Sequence, residues 1–251
     1  MRTITRLDVE QYRQRLLERV FTDNSLAVYL QALRLFFRHL EENLCIFESP
    51  LAGLAALRRA KPLQPVPTEA EMAILLGAPD VTTPLGVRDR ALLETVYSTG
   101  VRRQELLDLA TGAVDLDAGR VRVLGKGSRE RMLPLGAEAA RWLRNYLRDV
   151  RPVLAERGAG TALWLTKCGR TLDASALQQV LRRYRTAPGI LTPIGLHSIR
   201  RACATHMLRH GASPVTIQML LGHADLSHMA AYLRLAGADV KAMHAASRVG
   251  Q

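Results

Sequence analysis

Apolar residues recur at helical spacing along much of the chain, and a clear case lies near the amino terminus. In the stretch SLAVYLQALRLFFRHLEEN, residues 25–43, apolar side chains return every three or four positions, at Leu26, Leu30, Leu33, Phe37 and Leu40. Side chains at this spacing share one face of an α-helix, which can then pack against a core. The pattern predicts that residues 1–60 form two or three short helices, which make a thin domain.

A proline-rich stretch, KPLQPVP at residues 61–67, interrupts the helical pattern. Proline fixes its own backbone angle and disfavours helix in the residue before it, so this stretch is predicted to be an extended linker. Thr68 and Glu71 follow it at the spacing of a capping box, which marks the start of a helix. The sequence therefore predicts one domain over residues 1–60, a linker over 61–67 and a second domain over 68–251.

One segment of the second domain alternates apolar and polar residues, as a half-buried strand does. In GRVRVLGKGSRERMLPL, residues 119–135, the alternation lies on both sides of a Gly-Lys-Gly-Ser turn. We expect a hairpin in which Val121 and Val123 face Met132, with Leu135 as a further inward residue. The predicted fold is therefore mainly α with a small antiparallel β-sheet, in the α+β class.

Residues 213–222 carry sequence signals for both ends of another helix. Ser213 and Pro214 are typical of an N-cap followed by proline at the first helical position. Gly222 is typical of the residue that ends a helix. Asp225 or Ser227 would then cap the next helix, which carries the tyrosine of the sequence MAAYLRL.

The charge of the chain narrows the class of partner. Lys and Arg number 35 against 23 Asp and Glu, which gives a net charge of +12. Such an excess favours a polyanion, most simply nucleic acid. Aromatic residues make up only 5% of the chain, so a protein that stacks single-stranded bases on aromatic rings is disfavoured.

Composition also indicates a compartment. No apolar run approaches the roughly 20 residues that span a bilayer, and the first residues, MRTITRLDVEQ, lack the apolar core of a secretion signal. Cys45, Cys168 and Cys203 are far apart, odd in number and outside any CxxC pattern. We therefore expect a cytoplasmic protein with reduced thiols, with no membrane association and no zinc site.

Five places in the second domain hold residues that can act on a phosphate. They are Arg102 with Glu105 in STGVRRQELLDL, Lys126 in GKG, His197 with Arg200 in LHSIRRACATH, and, further on, His223 and Tyr232. Each place has an ordinary structural explanation. An Arg–Glu pair one turn apart is usually a surface ion pair, a lysine in a glycine-rich turn is usually solvated, and a tyrosine among apolar neighbours usually packs into the core.

Taken together, these residues are the parts of one reaction, the attack of a tyrosine hydroxyl on a phosphodiester. Two arginines can hold the non-bridging oxygens, a histidine can add a donor, and a lysine can protonate the departing sugar oxygen. The free tyrosine pKa is about 10, so a cationic pocket or a base must assist the attack. This chemistry requires no metal and no cofactor.

The segments resemble the four signature segments of the tyrosine recombinases, which include phage integrases and Xer-type recombinases. TGVRRQEL, GKGSRERMLPL, HSIRRACATHML and LLGHADLSHMAAY match in order and spacing, and the resemblance covers about residues 10–245. It implies the tyrosine-recombinase catalytic fold, preceded by a small, truncated helical SAM-like DNA-binding domain. It implies that Glu105 supports an active-site arginine. It also implies that Tyr232 is the nucleophile and is activated by Arg102, Lys126, His197, Arg200 and His223.

The resemblance also implies an activity and an assembly. Members cut one strand at a time, leave a 3′-phosphotyrosyl link and a free 5′-hydroxyl, and exchange strands without ATP or metal. They work as homotetramers on two DNA sites. A carboxy-terminal helix, here residues 237–251, docks onto a neighbouring subunit.

This chain departs from the family pattern in its amino-terminal domain. Residues 8–60 resemble the last helices of the family's core-binding domain, with the first one or two missing. A second recombinase or an accessory factor would then complete the DNA clamp. Further DNA contacts are expected at Arg129, Arg131 and Arg201.

Three other functions fit parts of the sequence. A catalytically silent DNA-binding relative would share the charge and the helix–turn–helix-like punctuation of residues 213–235. A type IB topoisomerase would share the chemistry, although the segment LLGHADLS is closer to the recombinase form. A metallohydrolase on His206 and His210 would need a third ligand and a glutamate, and neither is evident.

Overall fold

The chain divides into two compact units, Met1–Pro62 and Leu63–Gln251. The computed structural model describes residues 4–19, 23–52, 65–125, 130–155 and 160–222. Each unit has its own buried apolar cluster.

The amino-terminal unit has two helices among its described residues, α1 (Arg6–Glu18) and α2 (Asp23–Glu42). Val9 of α1, Phe37 of α2 and Leu51 beyond them are buried in one small cluster. Helix α2 contains the whole run of regularly spaced apolar residues, which confirms the helix predicted there.

The second unit is mainly helical in its described residues. Its helices are α3 (Glu69–Gly77), α4 (Pro84–Thr99), α5 (Arg103–Leu107), α6 (Ala137–Asn145), α7 (Arg151–Ala155), α8 (Ala174–Tyr184), α9 (Leu196–Arg209) and α10 (Pro214–Leu221). A π-helical turn joins α6 to α7. Among the described residues, no helix is long and apolar enough to cross a membrane.

The predicted capping box at the start of α3 is confirmed. The Thr68 hydroxyl accepts a hydrogen bond from the Glu71 backbone N–H at 3.1 Å, and the Glu71 carboxylate accepts one from the Thr68 N–H at 2.8 Å. The same carboxylate accepts the backbone N–H groups of Leu191 and Thr192, at 2.9 and 2.7 Å. Glu71 therefore joins the first turn of α3 to the loop before α9.

The antiparallel sheet has three strands in the order β1 (Val114–Asp115), β2 (Arg120–Leu124) and β3 (Glu130–Pro134). The expected hairpin is the β2–β3 pair, and β1 adds a short edge strand. Mainly helical structure with a small antiparallel sheet confirms the predicted fold class.

The prediction of which β3 residue faces inward was wrong by one position. Val121 pairs with Leu133, which is fully buried, whereas Met132 pairs with Arg122 and is 47% exposed. Because side chains alternate between the two faces of a strand, a shift of one residue exchanges the inward and outward sets. Arg131 consequently lies on the same face as Leu133 rather than on the outer face with Met132.

Helix α4 is the central element of the second unit. Its Leu92, Leu93 and Val96 have no exposed surface, and α6 and α9 pack against it. This arrangement fixes the end of α4, and the glycine that follows it, in the interior of the unit.

Helix α10 has the ends that the sequence predicts. The Ser213 hydroxyl accepts the Thr216 backbone N–H at 3.1 Å, Pro214 occupies the first helical position, and Gly222 ends the helix with a left-handed φ of 62°. The residues proposed to begin the following helix, Asp225 and Ser227, lie outside the described residues.

Candidate active site

The candidate site is built around the carboxylate of Glu105, which is only 6% exposed. Its oxygens accept the Arg102 backbone N–H at 2.9 Å and the Arg102 Nη1 at 2.8 Å. They also accept Nη1 and Nη2 of Arg131, each at 2.8 Å. A carboxylate has about four lone-pair sites, so these four hydrogen bonds occupy its capacity.

These bonds keep Glu105 ionised. Burial alone would raise its pKa, because it penalises the charged form. The hydrogen bonds from Arg131, and from the backbone and side chain of Arg102, outweigh burial and lower the pKa from 4.5 to about 2. The carboxylate is therefore a fixed negative charge that orients two guanidinium groups.

Three successive backbone carbonyls at the end of α10 each accept a hydrogen bond from a different arginine. The pairs are Arg131 Nε with Leu220 at 3.1 Å, Arg200 Nη2 with Leu221 at 2.6 Å, and Arg102 Nη2 with Gly222 at 2.6 Å. The last carbonyls of a helix have no partner inside the helix and lie at the negative end of its dipole. The end of α10 thus gathers three guanidinium groups in one place.

The end of α4 contributes the other support for Arg200. Arg200 Nη1 donates to the carbonyl of Gly100, which ends α4 with a φ of 59°. A Cβ at Gly100 would lie 2.6 Å from a methyl carbon of Leu221 and 3.8 Å from Cγ of Arg200. Glycine is therefore required for both the backbone angle and the close approach of α10.

His197 lies one turn before Arg200 on α9 and is exposed. It lines a cavity of about 200 Å³ that Arg103 and Arg185 also line. The cavity therefore has a cationic wall beside the first turn of α9.

The arrangement can bind a phosphate. Among the described residues, three guanidinium groups bind the end of α10 and one carboxylate, Glu105, binds two of them, which leaves a local excess of positive charge. Arg102 has 39% of its side chain exposed, whereas Arg131 has 17%. Of the two arginines that bind Glu105, Arg102 is therefore the more accessible to an anion. Its planar guanidinium group can donate two hydrogen bonds to phosphate oxygens.

The structure brings Arg102, Glu105 and Arg200 together and leaves His197 on the adjacent helix turn. Four further predicted residues, Lys126, Arg129, His223 and Tyr232, lie outside the described residues.

Comparison with known proteins identifies the family. Residues 66–238 match the phage integrase family. A tyrosine recombinase XerD from Pseudomonas aeruginosa is 38% identical over 229 residues, which are 91% of this chain and 77% of the relative. A XerD from Ralstonia nicotianae is 43% identical over 179 residues, 71% of this chain and 58% of the relative.

The chain belongs to the phage integrase family, as a Xer-like tyrosine recombinase. The family match contains every residue proposed for catalysis, from Arg102 to Tyr232. The recombinase fold is also shared with XerH, crystallised with a palindromic difH substrate in a post-cleavage complex. That structure is 17% identical, has a TM-score of 0.75, and covers 99% of this chain and 73% of its own.

The residues considered as extra DNA contacts have different surroundings in this recombinase. Arg201 donates from Nη2 to the carbonyl of Pro65 at 3.3 Å. Arg131 binds Glu105 and the end of α10. A DNA contact by Arg201 stays a prediction, and the surroundings of Arg131 suggest another role.

The two histidines of the metallohydrolase alternative have other partners. His206 is buried, with Nδ1 2.8 Å from the Tyr97 hydroxyl, and His210 pairs with Glu69 at 3.0 Å on the surface. Within the described ranges, no group of three potential metal-ligating side chains is formed. The described residues therefore give that alternative no support.

Sequence reasoning missed the contact between Arg131 and Glu105, although a signal was present. Arg131 and Leu133 are two residues apart in the strand, so they share a face. An arginine on the face of a buried leucine requires a hydrogen-bonding partner, and in the structure that partner is Glu105. Because the prediction placed Met132 on the inward face, it placed Arg131 on the outward face.

Proposed function

We propose that this chain is a site-specific DNA recombinase that cuts and rejoins DNA through a 3′-phosphotyrosyl intermediate at Tyr232. The main support for this proposal is the binding of Arg102, Arg131 and Arg200 to the end of α10. Arg102 binds the carbonyl of Gly222, and His223 is the next residue in the chain. The phosphate-binding groups are thereby connected directly to the segment that contains the nucleophile.

In the proposed cleavage step, the hydroxyl oxygen of Tyr232 forms a bond to the scissile phosphorus. The bond between phosphorus and the 5′ oxygen of the next nucleotide breaks, and Lys126 donates a proton to that oxygen. The tyrosine proton leaves to a base in the site or to water. The products are a 3′-phosphotyrosyl link and a free 5′-hydroxyl.

Rejoining is the reverse step with a different strand. A 5′-hydroxyl from the second DNA site attacks the phosphotyrosyl phosphorus, and the tyrosine oxygen is released and protonated. One phosphodiester is exchanged for another, so the reaction needs no ATP.

The arginines supply the charge that the transition state requires. Attack places additional negative charge on the non-bridging oxygens, and Arg102, Arg200, His197 and His223 would donate to them. Removing one such donor in comparable sites costs about 3–4 kcal/mol of transition-state stabilisation. Because Glu105 and the end of α10 already orient Arg102 and Arg200, little reorganisation is needed when the phosphate binds.

Double-stranded DNA is the proposed substrate, and the XerH structure is of a complex with its own DNA substrate. We infer a homotetramer on two sites, with residues 237–251 docking onto a neighbouring subunit. Residues 1–60, joined to the catalytic domain by the 61–67 linker, would also bind the duplex, alone or with a second recombinase or accessory factor. The proposed compartment is the cytoplasm.

The test requires a DNA site at which the protein forms a covalent complex. Two copies of this site are placed on one supercoiled plasmid. The proposal predicts recombination between the copies in the presence of EDTA, and no reaction on a plasmid without them. Relaxation of any plasmid without a particular site would instead indicate a topoisomerase. Binding without strand transfer would indicate a silent relative, and loss of activity with EDTA would contradict the metal-free mechanism.

A further inference from the structure

Arg131 connects three elements of the second unit. It lies on β3, its Nη1 and Nη2 make a paired interaction with Glu105 of α5, and its Nε donates to Leu220 of α10. Planar, paired contacts of this kind are specific to arginine, because a lysine ammonium cannot bind both carboxylate oxygens and a third acceptor in the same way.

The packing around Arg131 leaves little freedom. A Cβ at Gly222 would lie 3.1 Å from Cζ and 3.2 Å from Nε of Arg131, so the absence of a side chain at Gly222 lets the guanidinium lie against the end of α10. All three guanidinium nitrogens of Arg131 donate to groups of the protein, two to Glu105 and one to Leu220.

Each of the three elements leads to a residue of the proposed mechanism. Strand β3 follows the segment that contains Lys126, α5 follows Arg102, and α10 precedes His223. Arg131 also donates two of the four hydrogen bonds that the Glu105 carboxylate accepts, and Arg102 donates the other two. Arg131 thus connects the three elements that lead to Lys126, Arg102 and His223.

We propose that Arg131 is a positioning residue for strand cleavage: it holds Glu105, and through it Arg102, and fastens the β2–β3 hairpin to the end of α10. This inference rests on the proposed recombinase function. It replaces the expectation of a DNA contact at Arg131 with a role that acts through other residues.

The experiment measures two quantities separately on nicked duplexes that tile the DNA flanking the chain's own gene. One is DNA affinity and its dependence on salt, and the other is the rate of covalent-complex formation at saturating protein. Arg131→Gln is expected to slow the rate about 10- to 100-fold, since misplacing a catalytic group by about 1 Å can cost a factor of about 100. Its affinity should stay within about twofold of the wild type and its salt slope should be unchanged, because no phosphate contact is lost.

Two further variants make the result specific. Arg131→Lys should restore part of the rate, because it keeps one charged donor. Arg122→Gln is the matched control: Arg122 lies on the adjacent strand in an exposed pair with Glu130 at 3.3 Å, and its loss should leave rate and affinity unchanged.

A double variant distinguishes an effect of Arg131 that acts through Glu105 from a general loss of folding. If Arg131 acts through Glu105, the Arg131→Gln change should slow the reaction far less in a Glu105→Gln background than in the wild type. Equal slowing in both backgrounds would contradict the proposal.

Other outcomes have distinct meanings. An unchanged rate for Arg131→Gln would overturn the positioning role while leaving the recombinase function intact. A weaker affinity with a salt slope reduced by about 0.9 and an unchanged rate would make Arg131 a phosphate contact. If wild-type protein formed no Tyr232-dependent complex on any duplex, both this inference and the proposed function would fail.

Discussion

At the scale of single residues, Glu105 shows how a buried charge is retained in this chain. A carboxylate removed from water costs several kcal/mol unless it is paired and hydrogen-bonded, and Glu105 is paired with two arginines. The two guanidinium groups share this one carboxylate, and each also donates to a backbone carbonyl at the end of α10. Removal of the acid would leave two like charges facing each other.

We predict that Glu105→Gln lowers the free energy of unfolding by about 3 kcal/mol, the usual cost of breaking a largely buried ion pair. Urea unfolding at pH 7 measures this difference. The matched control is Glu130→Gln, whose exposed pair with Arg122 should contribute less than about 1 kcal/mol. Equal losses in the two variants would show that the Glu105 pairs are not energetically distinct.

The sequence predicted part of this residue-level arrangement. The Arg102–Glu105 contact follows from their spacing of one helical turn, which is local information. The Arg131–Glu105 contact joins residues 26 positions apart and depends on the register of β3, which the apolar pattern alone assigned incorrectly. The end of α10 at Gly222 was predicted, but the arginines that bind its last carbonyls lie 21 to 120 positions away in the chain and could not be predicted.

At the scale of elements, Glu71 has two tasks. It caps α3, which the spacing of Thr68 and Glu71 predicted, and it binds two N–H groups of the loop before α9. The second task was not predictable from local sequence, because Leu191 lies 120 positions away. Burial raises the pKa of Glu71, but the hydrogen bonds from Thr68, Thr192 and Leu191 bring it down to about 2.

We predict that Glu71→Gln destabilises the protein by about 2 kcal/mol, since hydrogen bonds to a charged acceptor are replaced by weaker ones. Because the folded pKa is depressed, the stabilisation is present above the unfolded pKa of 4.5 and is lost as pH falls toward 2. Thermal unfolding should show a larger difference between variant and wild type at pH 7 than at pH 3. Glu69→Gln, two residues before Glu71 in the first turn of α3 and exposed, is the control, and a loss as large as that of Glu71→Gln would contradict this account of the loop.

The pairing of α4 with α9 includes a buried histidine. His206 lies against Tyr97, and its pKa is lowered chiefly by burial, with Glu69 raising it and Arg209 lowering it. Below an unfolded pKa of about 6.5, the unfolded chain takes up a proton that the folded chain does not. Stability should therefore decrease as pH falls below that value.

We predict that the free energy of unfolding falls between pH 7.5 and 5.5, with a contribution from His206 of at most about 1.4 kcal/mol per pH unit. His206→Gln should remove that contribution, while His210→Gln, at the exposed end of α9, should retain it. Urea titrations of the three proteins at several pH values make the comparison. Identical pH slopes for wild type and His206→Gln would contradict the burial of a neutral histidine.

At the scale of the whole molecule, the net charge of +12 is the property most clearly visible in the sequence. The fold class and the α10 ends were also predictable, because apolar period and capping residues are local signals. The division between domains at residues 61–67, the subunit assembly and the placement of Lys126 and Tyr232 remain predictions. They depend on contacts between distant or separate segments, which local patterns do not encode.

We predict that affinity for double-stranded DNA falls steeply with salt. The log–log slope should be about −0.9 for each phosphate contacted, so six contacts would give a slope of about −5. Fluorescence anisotropy with labelled duplexes between low and physiological salt measures the slope. A slope near zero would show that the basic surface does not bind the phosphate backbone.

The central claim, that Tyr232 is the nucleophile, is tested most directly by trapping the covalent complex. Nicked duplexes from the DNA flanking the gene let the 5′-hydroxyl fragment diffuse away, so the protein–DNA link accumulates and survives denaturation. Protease digestion and mass spectrometry should find the 3′ phosphate of the DNA on the peptide that contains Tyr232. Tyr232→Phe should abolish the complex, and Tyr12→Phe, an exposed tyrosine of the first unit, should retain it. A complex that persists in Tyr232→Phe, or a link at another residue, would contradict the proposed mechanism.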